Sequence, residues 1–120
     1  MYQYYFEKLT TWQDAKALVM DIYKLTKTFP TGERFGLVSQ LQRAAISVTA
    51  NIAEGSSRQT PKDQANFSTM AYASLMEVLN LLIIAHELEY INRENYQITR
   101  LQVDKVANKI NALRKKQTNN

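Results

Sequence analysis

Apolar residues return every three or four positions along four long stretches of the chain, and only short connections separate these stretches. This spacing places the apolar side chains on one side of an α-helix. It predicts helices at about 10–28, 35–56, 61–90 and 92–116. Long helices joined by short connections favour an all-α fold, an antiparallel up-down-up-down four-helix bundle. We expect residues 1–120 to form one domain of this kind.

Residues typical of helix ends support these boundaries. Pro30 cannot continue the first helix, and Gly55 is expected to end the second in the left-handed conformation that glycine adopts easily. Thr60 is a good N-cap for the third helix, because Pro61 then occupies the first helical position. Asn92 is the expected N-cap of the fourth helix.

The two central helices each have a predicted core stripe. In the second helix it consists of Leu37, Leu41, Ala44, Val48 and Ile52. In the third helix it consists of Phe67, Met70, Ala71, Ser74, Val78, Leu81, Leu82, Ala85 and Leu88. These stripes would face each other and the outer helices in the bundle.

The central helices are also apolar on the side opposite their core stripes. Arg43 is the only charged residue between Phe35 and Ala53, and Glu77 is the only one between Gln64 and Ala85. A second apolar face needs a second partner, so we expect an interface between subunits there. Its expected residues are Ile46, Ala50, Tyr72, Met76, Leu79 and Ile83. The alternative is a bundle twisted enough to cover this face internally.

Several polar residues fall within or beside the predicted core stripes. Asn51, Glu54 and Ser74 fall within the stripes, and Glu77 lies at the edge of one. The residues that flank the stripe of the second helix are Gln40, Ser47 and Arg58, and Arg43 is a candidate partner for the carboxylates. We favour a hydrogen-bonded layer that fixes register, because buried carboxylates must be paired. The alternative is a metal or acid-base site at Glu54 and Glu77. A dinuclear carboxylate bundle usually needs two Glu-x-x-His motifs, whereas this chain has one histidine and no cysteine. We therefore predict no catalytic residue, metal or cofactor.

Positive charge is concentrated in the fourth helix. From Arg93 onwards the chain has seven basic and two acidic residues, a net charge of +5, whereas the whole chain carries +4. The expected nucleic-acid contacts are Arg100, Lys105, Lys109, Arg114, Lys115 and Lys116. Such a surface would bind RNA or DNA through the backbone phosphates. The alternative is an ordinary solvated helix face.

The sequence gives no reason to expect a membrane protein. The N-terminus lacks the basic and then apolar segments of a signal peptide. We found no uninterrupted apolar run of about 18 residues. We therefore expect a cytoplasmic protein with no membrane partner.

Several motifs resemble a known family. They are Phe6-x-x-Leu9-x-x-Trp12-x-x-Ala15, Phe29-Pro30-x-x-Glu33-x-Phe35-Gly36-Leu37, Gln40-Leu41-x-Arg43-Ala44-Ala45-x-Ser47-x-x-Ala50-Asn51-Ile52-Ala53-Glu54-Gly55, Ser74-x-x-Glu77 and Leu88-x-Tyr90-Ile91. The sequence resembles the four-helix-bundle proteins encoded in intervening sequences of bacterial 23S rRNA genes, also called the S23 ribosomal protein family. A related branch is the accessory protein of diversity-generating retroelements, which partners a reverse transcriptase and binds nucleic acid.

The resemblance implies a homo-oligomeric ring, with a pentamer as the expected form. It also implies that the signature residues Arg43, Asn51, Glu54, Gly55, Ser74 and Glu77 are structural. The family has no settled biochemical activity. The favoured function is a non-enzymatic oligomer that binds RNA or DNA through the fourth helix. The alternative is an adaptor for a protein partner such as a reverse transcriptase, and a carboxylate-based enzyme or ligand-binding bundle is less favoured.

Overall fold

Four long helices make up most of the protein. A computed structural model describes residues 1–119. The helices are α1 (Thr10–Thr26), α2 (Leu37–Ser56), α3 (Pro61–Glu87) and α4 (Arg93–Thr118). Short 3₁₀ helices at Tyr5–Lys8 and Thr31–Glu33 precede α1 and α2. No strand occurs within residues 1–119, and the predicted all-α four-helix fold is confirmed.

Contacts at the two ends show that neighbouring helices run in opposite directions. One cleft is lined by Leu9 before α1, Ser56 at the end of α2, Gln64 at the start of α3 and Leu113 near the end of α4. At the opposite end, the Tyr90 hydroxyl donates a 2.9 Å hydrogen bond to the Glu33 carboxylate. This bond raises the pKa of the Tyr90 phenol, because the phenolate would lie against a carboxylate. The chain is therefore an antiparallel bundle.

Two of the predicted helix starts have the expected hydrogen bonds. The Thr60 hydroxyl accepts from the Asp63 backbone N–H at 3.2 Å, and Pro61 takes the first helical position. The Asn92 side chain accepts from the Asn95 backbone N–H at 2.7 Å. Each cap satisfies an N–H group that has no partner inside the helix.

Several helix boundaries differ from the expected positions: the first helix ends at Thr26 rather than 28, and the fourth ends at Thr118 rather than 116. The second helix begins at Leu37, two residues later than predicted, since the turn at Thr31–Glu33 extends through Gly36. The third helix ends at Glu87 rather than Tyr90. Glu89 has a φ of 66°, a left-handed conformation that a helix cannot continue through.

The core stripe of α2 is close to the prediction, whereas that of α3 is rotated. In α3 the buried residues are Ala65, Ser68, Ala71, Leu75, Val78, Leu81, Leu82 and Ala85. The predicted core residues Met70 and Leu88 are instead exposed. The missed residue Leu75 is completely buried. Because α3 is apolar on nearly every side, its periodicity alone could not identify the inward face.

Gly55 has a different role from the predicted one. It does not adopt a left-handed conformation, and α2 continues through it to Ser56. Gly55 is buried where α2 meets α3, and a Cβ atom there would lie 2.7 Å from the Phe67 Cβ. The glycine is required by this close approach of two helices and not by the end of a helix.

By length and composition, α3 could cross a membrane. An 18-residue window in it has a mean hydropathy of 1.6, and 33% of that window is buried. A membrane span was not expected, because no segment is apolar without interruption over about 18 residues, but the mean hydropathy of this window is high although it contains polar residues. Packing against both α2 and α4 explains part of this composition, because each neighbour needs an apolar side of α3.

The Gly55 contact can be tested by substitution. Gly55→Ala adds a Cβ that must displace Phe67, at a cost of about 1–3 kcal/mol, while alanine favours the helix by about 1 kcal/mol. We expect a net loss of up to about 2 kcal/mol in the free energy of unfolding, measured by urea denaturation. Gly32→Ala is the matched control, because nothing lies within 4 Å of its added Cβ. A Gly55→Ala variant that is more stable than wild type by the full helix preference of about 1 kcal/mol would contradict the close contact.

Candidate nucleic-acid interface

The basic residues of α4 fall into groups with different surroundings. Near the middle of the helix, Lys109 forms an ion pair with Asp14 of α1. Lys105 lies 3.7 Å from the same carboxylate. Asp14 is partly buried, so it offsets part of this positive charge within the bundle. These two lysines are therefore less available to an anionic partner than the sequence suggested.

Arg100 is also engaged within the protein. Its guanidinium donates a 2.8 Å hydrogen bond to the Tyr96 hydroxyl and lies 6.0 Å from the centre of the Tyr96 ring. The His86 ring of α3 stacks on the same tyrosine ring, with the two ring centres 4.2 Å apart. Arg100 is half-buried and belongs to this stack between α3 and α4.

Two of the predicted contacts meet a third basic residue in one cleft. Arg114 and Lys115 near the end of α4 lie across from Lys62 at the start of α3. They line a cleft of about 850 Å³, here called the terminal cleft. Its other lining residues are Pro61, Ala65, Asn66, Thr69, Asn111, Gln117 and Thr118. The lining contains no carboxylate, so an anion entering the cleft would meet three cations and several neutral donors.

Hydrogen bonds between α3 and α4 hold the walls of the terminal cleft in place. The Ser68 hydroxyl donates to the Gln117 side chain at 2.7 Å. The Arg114 guanidinium donates to the Thr69 hydroxyl at 3.2 Å. Arg114 is thereby positioned at the cleft, and its remaining N–H groups can donate to a ligand.

A second cleft adjoins the terminal cleft and shares Gln117 with it. This smaller cleft, of about 290 Å³, includes Lys116 and Tyr5 in its lining. It is here called the tyrosine cleft. Lys116 therefore lines a different cleft from Arg114 and Lys115, although the three predicted cations are consecutive in α4.

The bundle is electrically asymmetric along its length. The end formed by residues 1–9, 54–63 and 112–119, here called the basic end, has six basic and three acidic residues, a net charge of +3. The opposite end, formed by residues 24–36 and 87–95, has four of each and no net charge. Positive potential is therefore concentrated around the two clefts.

One other cleft combines basic and aromatic side chains. It lies between α1 and the start of α2, has a volume of about 430 Å³, and is half the size of the terminal cleft. Its lining includes Tyr23, Lys27, Arg34, Phe35 and Arg43. The Arg34 guanidinium already lies over the Phe35 ring, 5.4 Å from its centre. Like the terminal cleft, this cleft is lined by three cations and no carboxylate, but the end of the bundle around it has no net charge, which makes it the weaker candidate for an anion.

The expected polar layer is smaller than predicted and contains no carboxylate. Ser47 and Ser74 share a 2.9 Å hydrogen bond between α2 and α3, and the Asn51 amide donates to the Ser47 carbonyl at 2.9 Å. Glu54 and Glu77 are instead exposed, so placing Glu54 in the core arc was wrong. A periodicity of 100° per residue could not resolve the edge of the stripe.

Of the remaining signature residues, Gly55 lies in the α2–α3 contact described above, and Arg43 is exposed. Arg43 and Glu77 line one shallow groove with Gln40 and Ser47. Within residues 1–119, no three His, Asp or Glu side chains are grouped as metal ligands.

The predicted subunit-interface residues divide into two kinds. Ile46, Ala50 and Ile83 are exposed. Tyr72, Met76 and Leu79 are half-buried and pack against the core. Only three of the six predicted interface residues are therefore exposed to solvent on the outer faces of α2 and α3. Three other apolar residues of α3 are exposed, namely Met70, Ile84 and Leu88, but the helical spacing places them on a different side of α3 from Ile83.

Sequence reasoning missed two residues of the basic end, Lys62 and Tyr5. Lys62 directly follows the recognised start of the third helix, and the antiparallel arrangement brings that start to the end of α4. The predicted antiparallel topology could therefore have placed Lys62 near the basic end of α4. For Tyr5 the only signal was its sequence proximity to Tyr2 and Tyr4.

Comparison with known families agrees with the fold. A family model described as the 23S rRNA-intervening sequence protein matches residues 7–112. The chain belongs to this family. The match covers all four helices except the last residues of α4, and it confirms the family resemblance of the sequence motifs.

A solved structure of a protein from this family has the same fold as the chain. It is a crystal structure of a protein of unknown function from the S23 ribosomal protein family of Bacteroides thetaiotaomicron, with a TM-score of 0.79 and 22% sequence identity. The similarity covers 86% of this chain and 96% of that one. No curated protein matches the chain. The relation to the retroelement accessory protein stays a prediction.

Proposed function

We propose that this member of the 23S rRNA-intervening sequence family is a non-enzymatic protein that binds the phosphates of RNA or DNA at its basic end. The observation that carries this proposal is the terminal cleft. Lys62, Arg114 and Lys115 converge there from two helices, and the lining has no acidic side chain. Lysine and arginine that contact phosphates release counterions from the nucleic acid, which drives binding.

Helix stability does not explain all of this positive charge. Arg114 and Lys115 lie near a helix C-terminus, where the helix dipole favours cations. Lys62 is the second residue of α3, where the same dipole disfavours a cation. Its presence opposite Arg114 is therefore better explained by a shared anionic ligand than by the stability of α3.

A pair of neutral substitutions tests the location of the contact. Arg114→Gln with Lys115→Gln removes two charges from the terminal cleft. For two lost phosphate contacts, the slope of log affinity against log salt should fall by about 1.4 for a single strand or about 1.8 for a duplex. Affinity should fall roughly tenfold or more near physiological salt. Fluorescence anisotropy with labelled RNA and DNA, over a salt series, measures both quantities.

Lys24→Gln with Lys27→Gln is the matched control. It removes two charges at the C-terminal end of α1, so the net charge and the helix-dipole contribution change in the same way. These residues lie at the opposite end of the bundle, and we expect affinity to change little. Equal losses from both pairs, or no loss from Arg114 and Lys115, would contradict binding at the terminal cleft.

We also propose that the protein self-associates through the outer faces of α2 and α3, in a ring expected to be pentameric. Ile46 of α2 is 43% exposed and Ile83 of α3 is 38% exposed. Met70 and Ile84 of α3 are also open to solvent, on a different side of the helix from Ile83. Exposed apolar side chains on two helices that pack together favour a protein interface. A ring would repeat the basic end and so multiply the number of phosphate contacts.

Charge placed on the outer faces should dissociate the oligomer. Ile46→Glu with Ile83→Glu would bury two unpaired carboxylates between subunits, which costs several kcal/mol per ion. We expect light scattering to give the mass of a monomer or a smaller assembly. Met20→Glu is the control, since Met20 is 56% exposed on α1 and should leave the mass unchanged. A double variant with the wild-type mass would show that this surface is not the interface.

A further inference from the structure

Three tyrosines near the N-terminus are exposed at the basic end. They are Tyr2, Tyr4 and Tyr5. Tyr5 is 63% exposed, and its side chain lines the tyrosine cleft with Lys116. An aromatic ring open to solvent beside a cation combines the two features that proteins use to bind nucleic acid single strands.

The segment that carries Tyr5 is held against the bundle. Tyr5 begins the 3₁₀ helix Tyr5–Lys8, and the Glu7 carboxylate accepts a 2.7 Å hydrogen bond from the Tyr4 backbone N–H. The Gln13 side chain donates to the Glu7 carbonyl at 2.9 Å. Within the same segment, the Phe6 ring packs edge-on against Trp12 at 5.0 Å. Tyr5 is thus presented by a fixed element and requires little ordering on binding.

The tyrosine cleft and the terminal cleft meet at Gln117. This side chain lines both clefts and is fixed by its hydrogen bond from Ser68. A strand whose phosphates contact Arg114 and Lys115 could therefore continue past Gln117 towards Lys116 and Tyr5. The arrangement places a phosphate-binding surface and an aromatic ring along one path.

We propose that the nucleic acid bound at the basic end is single-stranded, with phosphates at Lys62, Arg114 and Lys115 and a base stacked on Tyr5. This inference rests on the proposed function and specifies its ligand. The bases of a duplex are already stacked on one another, so an exposed tyrosine gains little from them. An unpaired base offers a free π-face, and stacking of this kind tolerates any sequence.

Substitutions at Tyr5 separate stacking from charge. Anisotropy would compare labelled oligouridine and oligothymidine, each of about 20 nucleotides, with a duplex of the same length. We expect both single strands to bind more tightly than the duplex. Tyr5→Ala should weaken single-strand binding about fivefold or more without changing the salt slope, because no charge is lost. Tyr5→Phe keeps the ring and should restore most of the affinity.

Lys62→Gln should have the complementary effect. It should weaken binding and lower the salt slope by about 0.7, the value for one phosphate contact of a single strand. Phe35→Ala is the aromatic control, since Phe35 is exposed at the opposite end of the bundle. That variant should bind both single strands like wild type.

The outcomes distinguish this inference from the proposed function. Equal affinity for duplex and single strand, with no effect of Tyr5→Ala, would overturn single-strand binding and leave phosphate binding intact. A Tyr5→Ala variant of reduced mass in light scattering would assign Tyr5 to a subunit contact and also overturn the inference. No binding of any of the three probes at low salt would overturn both proposals.

Discussion

The close approach of α2 and α3 at Gly55 is the contact on which the candidate site depends. Because position 55 has no side chain, Phe67 packs directly against α2, and this contact fixes the start of α3 relative to the end of α2. The bond between Ser68 and Gln117 then fixes the end of α4 beside α3. The second contact aligns the walls of the terminal cleft, which come from α3 and α4, and so brings Lys62 close to Arg114. The first contact sets Ser56 of α2 beside Gln64 of α3 in the tyrosine cleft.

The distribution of charge matters more than its total. The net charge of +4 is small, but Asp14 offsets the lysines in the middle of α4, and the opposite end of the bundle has no net charge. The remaining positive charge lies around the two clefts of the basic end. In a ring, each subunit would add such an end, so modest contacts per subunit could together give high affinity. The oligomer and the binding surface would then serve one function.

Much of the fold could be predicted from the sequence, because apolar periodicity and caps such as Thr60 and Asn92 are local signals. The side of α3 that faces the core could not, since α3 is apolar on nearly every side and Leu75 and Met70 are equally suitable for burial. The residues of the candidate site at the basic end were predicted only in part. Arg114 and Lys115 were identified from charge, whereas their meeting with Lys62, and the pairing of Lys109 with Asp14, are tertiary contacts that no local pattern encodes.

Photo-crosslinking would test most directly whether the basic end is the nucleic-acid contact. A single-stranded oligonucleotide with bromouridine in place of uridine is irradiated with the wild-type protein, and mass spectrometry identifies the labelled tryptic peptides. Labelling of the peptide that contains Tyr5, together with peptides that flank Lys62 and Lys115, is the result predicted by the account. Labelling confined to peptides that contain Tyr23 or Phe35 would place the nucleic acid at the opposite end and contradict it.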